Sequence, residues 1–336
     1  MQIDVILDTR ASAASLAELG ELAEQHGLGG IWVSSLNDSR DPFTNLSLAA
    51  MRTQRITLGP IAVNPFDTHP LKIAAGWLTL NELAGGRARI VVGGGGEALA
   101  ALGIEPKRRV RAVGECLAIL QAAKTGAPID HVGEIYQVRQ CRFGWLTAPA
   151  PPVYAGAGQP QMLRMAARVA DGIMMSDVPP GPAASVIATL DVALANNGKV
   201  RPPFWSSVFT AWHVYDDLTE ARNEAKRWLL LRGIFRPWLL AEFLEPAEVE
   251  LVMASRAAFA RAFAQGSSRV EGVPDTVLDA LVDNVTLCGT PRDVDRLATK
   301  LRALSAAGLG AVALRLYARP NESIALLGQR LRSALT

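Results

Sequence analysis

Short apolar runs alternate with amphipathic stretches along the first 125 residues of the chain. Four of the apolar runs predict β-strands, at residues 3–7, 31–33, 56–63 and 89–92. Four other stretches have apolar residues at helical spacing, at residues 14–26, 42–52, 70–83 and 107–124. Because neighbouring parallel strands need a crossover connection, four successive β–α units predict a parallel sheet.

The second half of the chain continues this alternation after a pause. Residues 129–143 alternate around a turn-like Gly133-Glu134 and predict an inserted β-hairpin. Four further strands are predicted, near residues 153–155, 172–175, 205–215 and 310–316. Four helices accompany them, near residues 161–170, 183–196, 293–306 and 323–335. Residues 220–264 are mostly helical by pattern and too long for one crossover, which indicates a second insertion.

Eight predicted strands with crossover helices favour an α/β fold, a (β/α)₈ TIM barrel. We expect a single domain over residues 1–336, with a β-hairpin insertion near 128–143 and a helical insertion near 232–284. A doubly wound sheet is the alternative, but it would place a glycine-rich turn after the first strand. Residues 8–12 at that point are Asp-Thr-Arg-Ala-Ser, which disfavours it. In a barrel the chemistry lies where strands end, so those positions become the candidates.

The composition and charge of the chain limit the classes of partner that it is expected to bind. The chain has 34 Lys and Arg against 32 Asp and Glu, a net charge of +2, which argues against a protein that coats nucleic acid or a membrane. The histidines and cysteines share no short spacing, so no metal site and no disulfide framework is predicted. No signal-peptide pattern and no long uncharged apolar run occurs, so we expect a cytoplasmic protein with a small-molecule substrate.

Two strand ends have the residues of a cofactor site. Residues 93–96 are four consecutive glycines after the fourth strand, and a tight turn alone needs only one. The additional glycines suggest that a flat or charged group approaches the backbone closely, because free backbone amides can bind anions. Residues 155–161 are small and run into a helix with Pro160 in its first turn. The amides of Gln161, Met162 and Leu163 are then expected to face a phosphate at the helix start.

Three segments, in order along nearly the whole chain, resemble the luciferase-like monooxygenase superfamily. They are residues 53–65 (TQRITLGPIAVNP) with His69-Pro70, residues 79–87 (TLNELAGGR), and residues 152–163 (PVYAGAGQPQML) with 170–172 (ADG). The string CGTP at residues 288–291 also fits. The likeness is greatest to the deazaflavin branch, which includes methylenetetrahydromethanopterin reductase and F420-dependent glucose-6-phosphate dehydrogenase.

This resemblance implies a barrel that binds coenzyme F420 at the carboxyl ends of its strands. It also implies a non-prolyl cis peptide at Ile61–Ala62, behind the ring, which the residues themselves do not indicate. The cofactor-binding residues that follow are Ile61, Ala62, Val63, Asn64, Gly95, Gly96, Ala155, Gly156, Ala157, Gly158, Gln159, Pro160, Gln161 and Met162. FMN is the alternative cofactor.

Two residues are candidates for catalysis. Glu97 lies in Gly96-Glu97-Ala98-Leu99, which matches the string that holds an active-site acid in dehydrogenase-like members. A carboxyl beside an apolar ring can have a raised pKa and donate a proton, although a solvated acid at a helix start is the simpler alternative. Ser35 and Leu36 stand where many relatives have Asp-His, and leucine cannot transfer protons, so the proton donor is open.

Other polar and aromatic residues have more than one interpretation. Trp32 is expected in the core and His69 in a cap or loop, while the orientation of His213 is open. Arg315 and Tyr317 end the last strand, where a cation would hold an anionic substrate or the cofactor tail; a surface ion pair is the alternative.

The first functional hypothesis is an F420-dependent oxidoreductase that moves a hydride between the coenzyme and a small organic substrate. An FMN-dependent monooxygenase is the second, and a flavin-binding protein with little catalysis is the third. The resemblance also implies a homodimer. The sequence does not identify the substrate.

Overall fold

A computed structural model of the chain describes residues 1–96 and 98–335. These residues contain eleven β-strands. In chain order the strands are β1 (Gln2–Leu7), β2 (Gly30–Val33), β3 (Thr57–Pro60), β4 (Ile90–Val92), β5 (Ile129–Val132), β6 (Gln137–Cys141), β7 (Val153–Gly156), β8 (Gly172–Ser176), β9 (Trp205–Val214), β10 (Thr286–Gly289) and β11 (Ala311–Leu316).

Fifteen α-helices occur in the same described residues. They are α1 (Ala13–Gln25), α2 (Pro42–Arg52), α3 (Pro70–Leu83), α4 (Ala98–Ala101), α5 (Arg109–Ala123), α6 (Pro160–Val169), α7 (Pro180–Ala195), α8 (Leu218–Arg227), α9 (Pro237–Leu240), α10 (Pro246–Ala254), α11 (Arg256–Ala264), α12 (Asp275–Val285), α13 (Val294–Ala306), α14 (Pro320–Leu326) and α15 (Arg332–Leu335). Short 3₁₀ turns span Leu229–Arg232 and Pro291–Asp293, and a π-helical turn spans Leu327–Leu331. Within the described residues, no helix combines the length and apolar character needed to cross a membrane.

Eight parallel strands form the barrel. Their order is β3-β2-β1-β11-β9-β8-β7-β4, and β3 approaches β4 through the parallel bridges Leu58–Ala88 and Val63–Val92. This confirms the predicted TIM barrel. Apolar side chains from seven positions at the strands fill its interior: Ile6, Trp32, Ile61, Val91, Tyr154, Met174 and Ala313. Trp32 is in the core as predicted, where its indole N–H donates to the buried Asp4 Oδ2 at 2.9 Å.

The seam between β3 and β4 explains two of the sequence motifs. A Cβ on Gly59 would lie 1.9 Å from the carbonyl oxygen of Arg89, so only glycine fits at this position. The Arg87 guanidinium donates to the carbonyls of Ala50, Thr53 and Ile56 and to the Thr53 hydroxyl, at 2.6 to 3.0 Å. Because arginine offers five donors in a rigid fork, one side chain joins the loop before β3 to the loop before β4.

Two segments lie outside the simple β–α alternation. Strands β5 and β6 form an antiparallel hairpin between α5 and β7. Between β9 and β11, residues 218–289 contain helices α8–α12 and the strand β10, which pairs with the outer half of β9. This segment has an apolar core of its own, which includes Leu229, Leu240 and Leu281. The division of the chain into domains stays a prediction.

The second segment differs in detail from the sequence-based expectation. Residues 220–264 contain shorter helices, because Gly233 takes a positive φ of 61° and prolines begin α9 and α10. Strand β10 was not predicted. It is only four residues long, and a four-residue apolar run has too little periodicity to identify a strand.

Candidate active site

A cavity with a volume of about 810 Å³ lies at the carboxyl ends of the barrel strands. Its floor includes Ile6, Val91 and Met174 from the barrel interior. Two walls rise from this floor. One comes from the ends of β3 and β7, and the other comes from residues 228–263 and the end of β11. A cavity of this size holds a small ligand or part of a cofactor.

The first wall begins at the end of β3. The Ile61–Ala62 peptide bond is cis, as the resemblance implies. Both residues line the cavity, and Ile61 is buried. Ala62 lies against the glycine loop, since a Cβ on Gly93 would be 3.1 Å from the Ala62 Cβ. The start of the loop is therefore small because it passes the end of β3 closely.

The same wall continues through the loop between β7 and α6. Gly156, Ala157, Gly158 and Gln159 line the cavity. A Cβ on Gly156 would lie 3.4 Å from the Gly93 Cα, while a Cβ on Gly158 would meet no atom of the described residues within 4 Å. The backbone approaches its neighbour closely at the first glycine and borders open space at the second.

The first turn of α6 presents free backbone amides. The first bond of the helix is donated by the Leu163 N–H to the Gln159 carbonyl at 2.9 Å. The expectation of a free amide at Leu163 is therefore wrong. The N–H groups of Gln161 and Met162 precede that bond, and the helix begins at Pro160 without a side-chain cap from Gln159. Such amides, with the helix dipole, favour an anion.

Other predicted cofactor residues lie elsewhere. Gly95 and Gly96 line a neighbouring cavity of about 580 Å³. Gly95 has a positive φ of 69°, and a Cβ at this position would meet the Leu99 side chain. The local structure therefore already requires glycine here. The side chain of Asn64 bonds to Asp67 and to the amides of residues 66 and 67.

The remaining residues that the sequence assigned to the site lie in several different places. Ser35 and Val63 line a third cavity of about 420 Å³. Ala155 is buried within β7, whereas Pro160 belongs to the first turn of α6. Glu97 lies outside the described residues. The assignment of site residues stays a prediction.

The second wall is rich in arginine, and the sequence analysis identified only its Arg315 and Tyr317 as candidates. Arg232 and Arg236 come from the segment between β9 and β10, and Arg315 from β11. The Arg232 Nη1 lies 3.3 Å from the buried Asp177 Oδ1. Arg236 donates to the carbonyls of Ser176 and Asp177, at 3.1 and 3.2 Å. A sequence gives no signal for this convergence, because the wall is built from distant segments.

Arg315 is not part of a surface ion pair, so that alternative is wrong. The residue is buried, and its Nη1 donates to the Ser34 Oγ at 2.8 Å and weakly to the Leu7 carbonyl at 3.4 Å. Burial lowers the pKa of its guanidinium. Because the pKa of arginine starts far above neutrality, Arg315 still presents a positive charge to the cavity.

Tyr317 occupies the centre of an aromatic stack at the same wall. Its ring lies 4.9 Å from the His213 ring, nearly parallel at 9°, and 4.3 Å from the Trp228 ring. His213 is fully buried and bonds through Nδ1 to Glu224 at 2.8 Å, which settles its orientation. His69, by contrast, caps α3 by accepting from the Leu71 N–H, as predicted.

Asp177 gives the site a testable pH dependence. Burial raises its pKa to about 6 from an ordinary value of 3.8, although Arg232 and Arg236 oppose the change. The folded protein therefore binds this proton more tightly than the unfolded chain does. The contribution of Asp177 to the free energy of unfolding is largest below about pH 4 and is lost as the pH rises through about 6.

The quantity to measure is the difference in the free energy of unfolding between the parent protein and Asp177→Asn. We expect this difference to fall by roughly 2 kcal/mol as the pH rises from 4.5 to 7.5, since one pKa unit corresponds to about 1.4 kcal/mol. Urea unfolding of both proteins at several pH values measures this difference. A difference that stays constant or grows with pH would contradict the raised pKa. Other carboxyl groups contribute equally to both proteins and cancel in the subtraction.

Comparison with known proteins identifies the family. The sequence profile of the luciferase-like monooxygenases matches residues 1–310. The chain belongs to the luciferase-like monooxygenase family. Over the whole length of this luciferase-like chain, the structure of the coenzyme F420-dependent tetrahydromethanopterin reductase of Methanopyrus kandleri superposes with a TM-score of 0.84. The two sequences are 20% identical, and the superposition covers 100% of this chain and 99% of the reductase chain. The two proteins share a fold.

Curated relatives of this luciferase-like chain include two kinds of enzyme. A 5,10-methylenetetrahydromethanopterin reductase of Archaeoglobus fulgidus is 29% identical over 314 residues, which are 93% of this chain and 92% of the relative. An F420-dependent glucose-6-phosphate dehydrogenase of Rhodococcus hoagii is 31% identical over 175 residues, which are 47% of this chain and 52% of the relative. The resemblance inferred from the motifs is therefore confirmed.

Proposed function

We propose that this luciferase-like protein is an F420-dependent oxidoreductase that transfers a hydride between the deazaflavin coenzyme and a small organic substrate. One observation supports this most: the cis bond at Ile61–Ala62 and the small-residue loop before α6 border the same cavity. The names of the relatives favour F420 over FMN, since the glucose-6-phosphate dehydrogenase and the superposed reductase are both described as F420-dependent.

The residues present fit such a coenzyme. A flat ring needs an apolar surface without protruding side chains, and Ile61, Ala62 and Val91 provide one. A phosphate needs donors and space. The Gln161 and Met162 amides supply the donors, and the unfilled volume at Gly158 supplies the space. When bound, the deazaflavin would supply the hydride chemistry.

The residues of the chain itself would bind the coenzyme, orient its ring and exclude water from the site. The α6 amides would hold the phosphate, and the wall at Ile61 and Ala62 would position the ring. Apolar side chains at Leu36 and Phe263 also line the cavity and would limit the access of water. Exclusion of water strengthens the electrostatic interactions inside such a site.

The proton donor, the oligomer and the location stay predictions. Leu36 lines the cavity at the position where many relatives have histidine, so a different group must supply a proton if the reaction needs one. Glu97 is the acid that the sequence assigns to this role, with Ser35 as a second candidate. A homodimer is the expectation from the family resemblance, and a cytoplasmic location is the expectation from the sequence pattern.

Titration with both cofactors tests the proposal directly. We expect F420 to bind with quenching of its fluorescence and with an affinity at least tenfold greater than that of FMN. Oxidation of reduced F420 in the presence of enones, imines or quinones then measures turnover. Tighter binding of FMN would favour the monooxygenase hypothesis, and tight F420 binding without turnover on any substrate would favour a binding protein.

A further inference from the structure

The wall opposite the predicted coenzyme site has an excess of positive charge. Arg232, Arg236 and Arg315 all line the cavity there. Among the described residues, the carboxylate that pairs with this arginine cluster is Asp177, which contacts Arg232. Asp8 and Asp38 lie near the mouth, but both are exposed and pair with Arg10, at 4.0 and 2.8 Å.

The buried donors of this wall are incompletely satisfied. Arg232 is only 6% exposed, yet its Nε has no hydrogen-bond partner among the described residues, and its Nη1 contact to Asp177 is long at 3.3 Å. The Tyr317 hydroxyl is also buried and has no partner there. The Arg232 Cζ lies 5.8 Å from the centre of the Tyr317 ring, so the two groups are neighbours. Buried donors and buried cations are costly unless paired, which indicates that a ligand completes this site.

We propose that the substrate carries a carboxylate or phosphate group that binds Arg232 and Tyr317. The proposal rests on the proposed function, because it assigns this wall to the substrate and the opposite wall to the coenzyme. An oxyanion accepts the free Nε–H of Arg232 and the Tyr317 O–H, and with Asp177 it offsets most of the charge of the three guanidinium groups. The rest of the substrate is apolar or aromatic, since Trp228, Leu231 and Phe263 line the adjoining surface.

The position of the arginines argues against a coenzyme role for them. The predicted coenzyme wall comes from β3 and the loop after β7, and its α6 amides already provide an anion site. The arginines come from the segment after β9 and from β11, which is separated from β3 by β1 and β2 in the barrel. A second anion site on this side is therefore free for a different molecule.

Benzoate, phenyl phosphate and the neutral isostere benzamide test the proposal. Isothermal titration of F420-saturated protein with each probe compares ligands of similar shape and different charge. We expect at least one of the two anions to bind ten or more times tighter than benzamide. The anion that binds tighter indicates whether the site suits a carboxylate or a phosphate. Equal binding of benzamide and both anions would overturn the proposal.

Two substitutions locate the site, and a third is the control. Tyr317→Phe removes a hydroxyl that has no partner among the described residues, so the fold should persist while anion affinity falls roughly ten- to 100-fold, as for loss of one hydrogen bond to a charged group. Arg232→Met should abolish the preference for anions. Arg10→Met, at the mouth and already paired with Asp38, should change anion affinity less than twofold. If Tyr317→Phe melts like the parent and binds the anions unchanged, the site is not at this wall.

The outcomes separate this proposal from the proposed function. Failure to bind F420, with anion binding retained in the coenzyme-free protein, would overturn the proposed function and leave the anion site. Competition between F420 and benzoate, or a loss of F420 affinity above tenfold in Arg232→Met, would assign the arginines to the coenzyme and overturn the substrate site.

Discussion

Replacing Gly158 with aspartate should weaken F420 binding by roughly 100-fold. The new carboxylate would lie beside the start of α6, where the coenzyme phosphate is proposed to bind. Two like charges about 5 Å apart repel by about 3 kcal/mol at an effective dielectric constant near 20, which corresponds to that loss of affinity. The fold should tolerate the side chain, because a Cβ at Gly158 meets no atom within 4 Å in the part of the chain that the structure describes.

Gly158→Asn is the matched control, since asparagine has nearly the same shape and no charge. We expect its affinity for F420 to fall less than about tenfold. Fluorescence quenching of F420 measures both variants, and the salt dependence of binding should weaken in the aspartate variant. If the aspartate and asparagine variants bind F420 alike, the loop does not hold the phosphate.

Replacing Gly59 with alanine should destabilise the protein by about 3 kcal/mol or more. The added Cβ would lie 1.9 Å from the Arg89 carbonyl oxygen, and a backbone group cannot rotate away as a flexible side chain can. Overpacking in a core commonly costs ~1–3 kcal/mol, and here the strain falls on the contact that joins β3 to β4. Urea unfolding measures the change in the free energy of unfolding.

Gly144→Ala serves as the control for this substitution. The contacts of a Cβ at that position begin at 3.8 Å, which is ordinary van der Waals distance. Its stability should stay within about 0.5 kcal/mol of the parent, as for most surface changes. Equal stability of Gly59→Ala and Gly144→Ala would show that the barrel can open at the seam between β3 and β4 without cost.

The sequence predicted the barrel well because its β–α units repeat a pattern that local chemistry specifies. Strands such as β8 and β11 are mostly apolar runs, and helices such as α2 and α3 begin with proline after a capping residue. These signals are local, so no knowledge of distant contacts is needed to interpret them. The hairpin of β5 and β6 was predicted for the same reason.

The first wall of the cavity was only partly predictable from the residues. The glycines and small residues near Gly93 and Gly156 indicate close backbone approach, but not which segment approaches. The cis bond at Ile61–Ala62 came from the family resemblance alone, because neither residue favours it. Ser35 and Val63 border a different cavity from Ile61, and no local pattern in the sequence separates these positions.

The sequence predicted Arg315 and Tyr317 as candidates at the end of the last strand, but the rest of the second wall could not be predicted, because it depends on long-range contacts. Arg232 lies in a short 3₁₀ turn with no motif around it, and its partner Asp177 is 55 positions earlier in the chain. The aromatic stack of Tyr317 likewise combines β9, the end of α8 and the end of β11. A solvated arginine and a buried one are indistinguishable when only neighbours in sequence are known.

The separate apolar core of residues 218–289 allows the part of the second wall in this segment to change independently of the first wall. Its buried side chains pack mainly on one another, while the barrel helices pack on a different cluster. Substitutions in this segment can therefore reshape the recognition of a reaction partner without disturbing the strands that would hold a shared coenzyme. Exchange of this segment between family members is a route by which one scaffold acquires new chemistry, and it marks a natural boundary for engineered chimaeras.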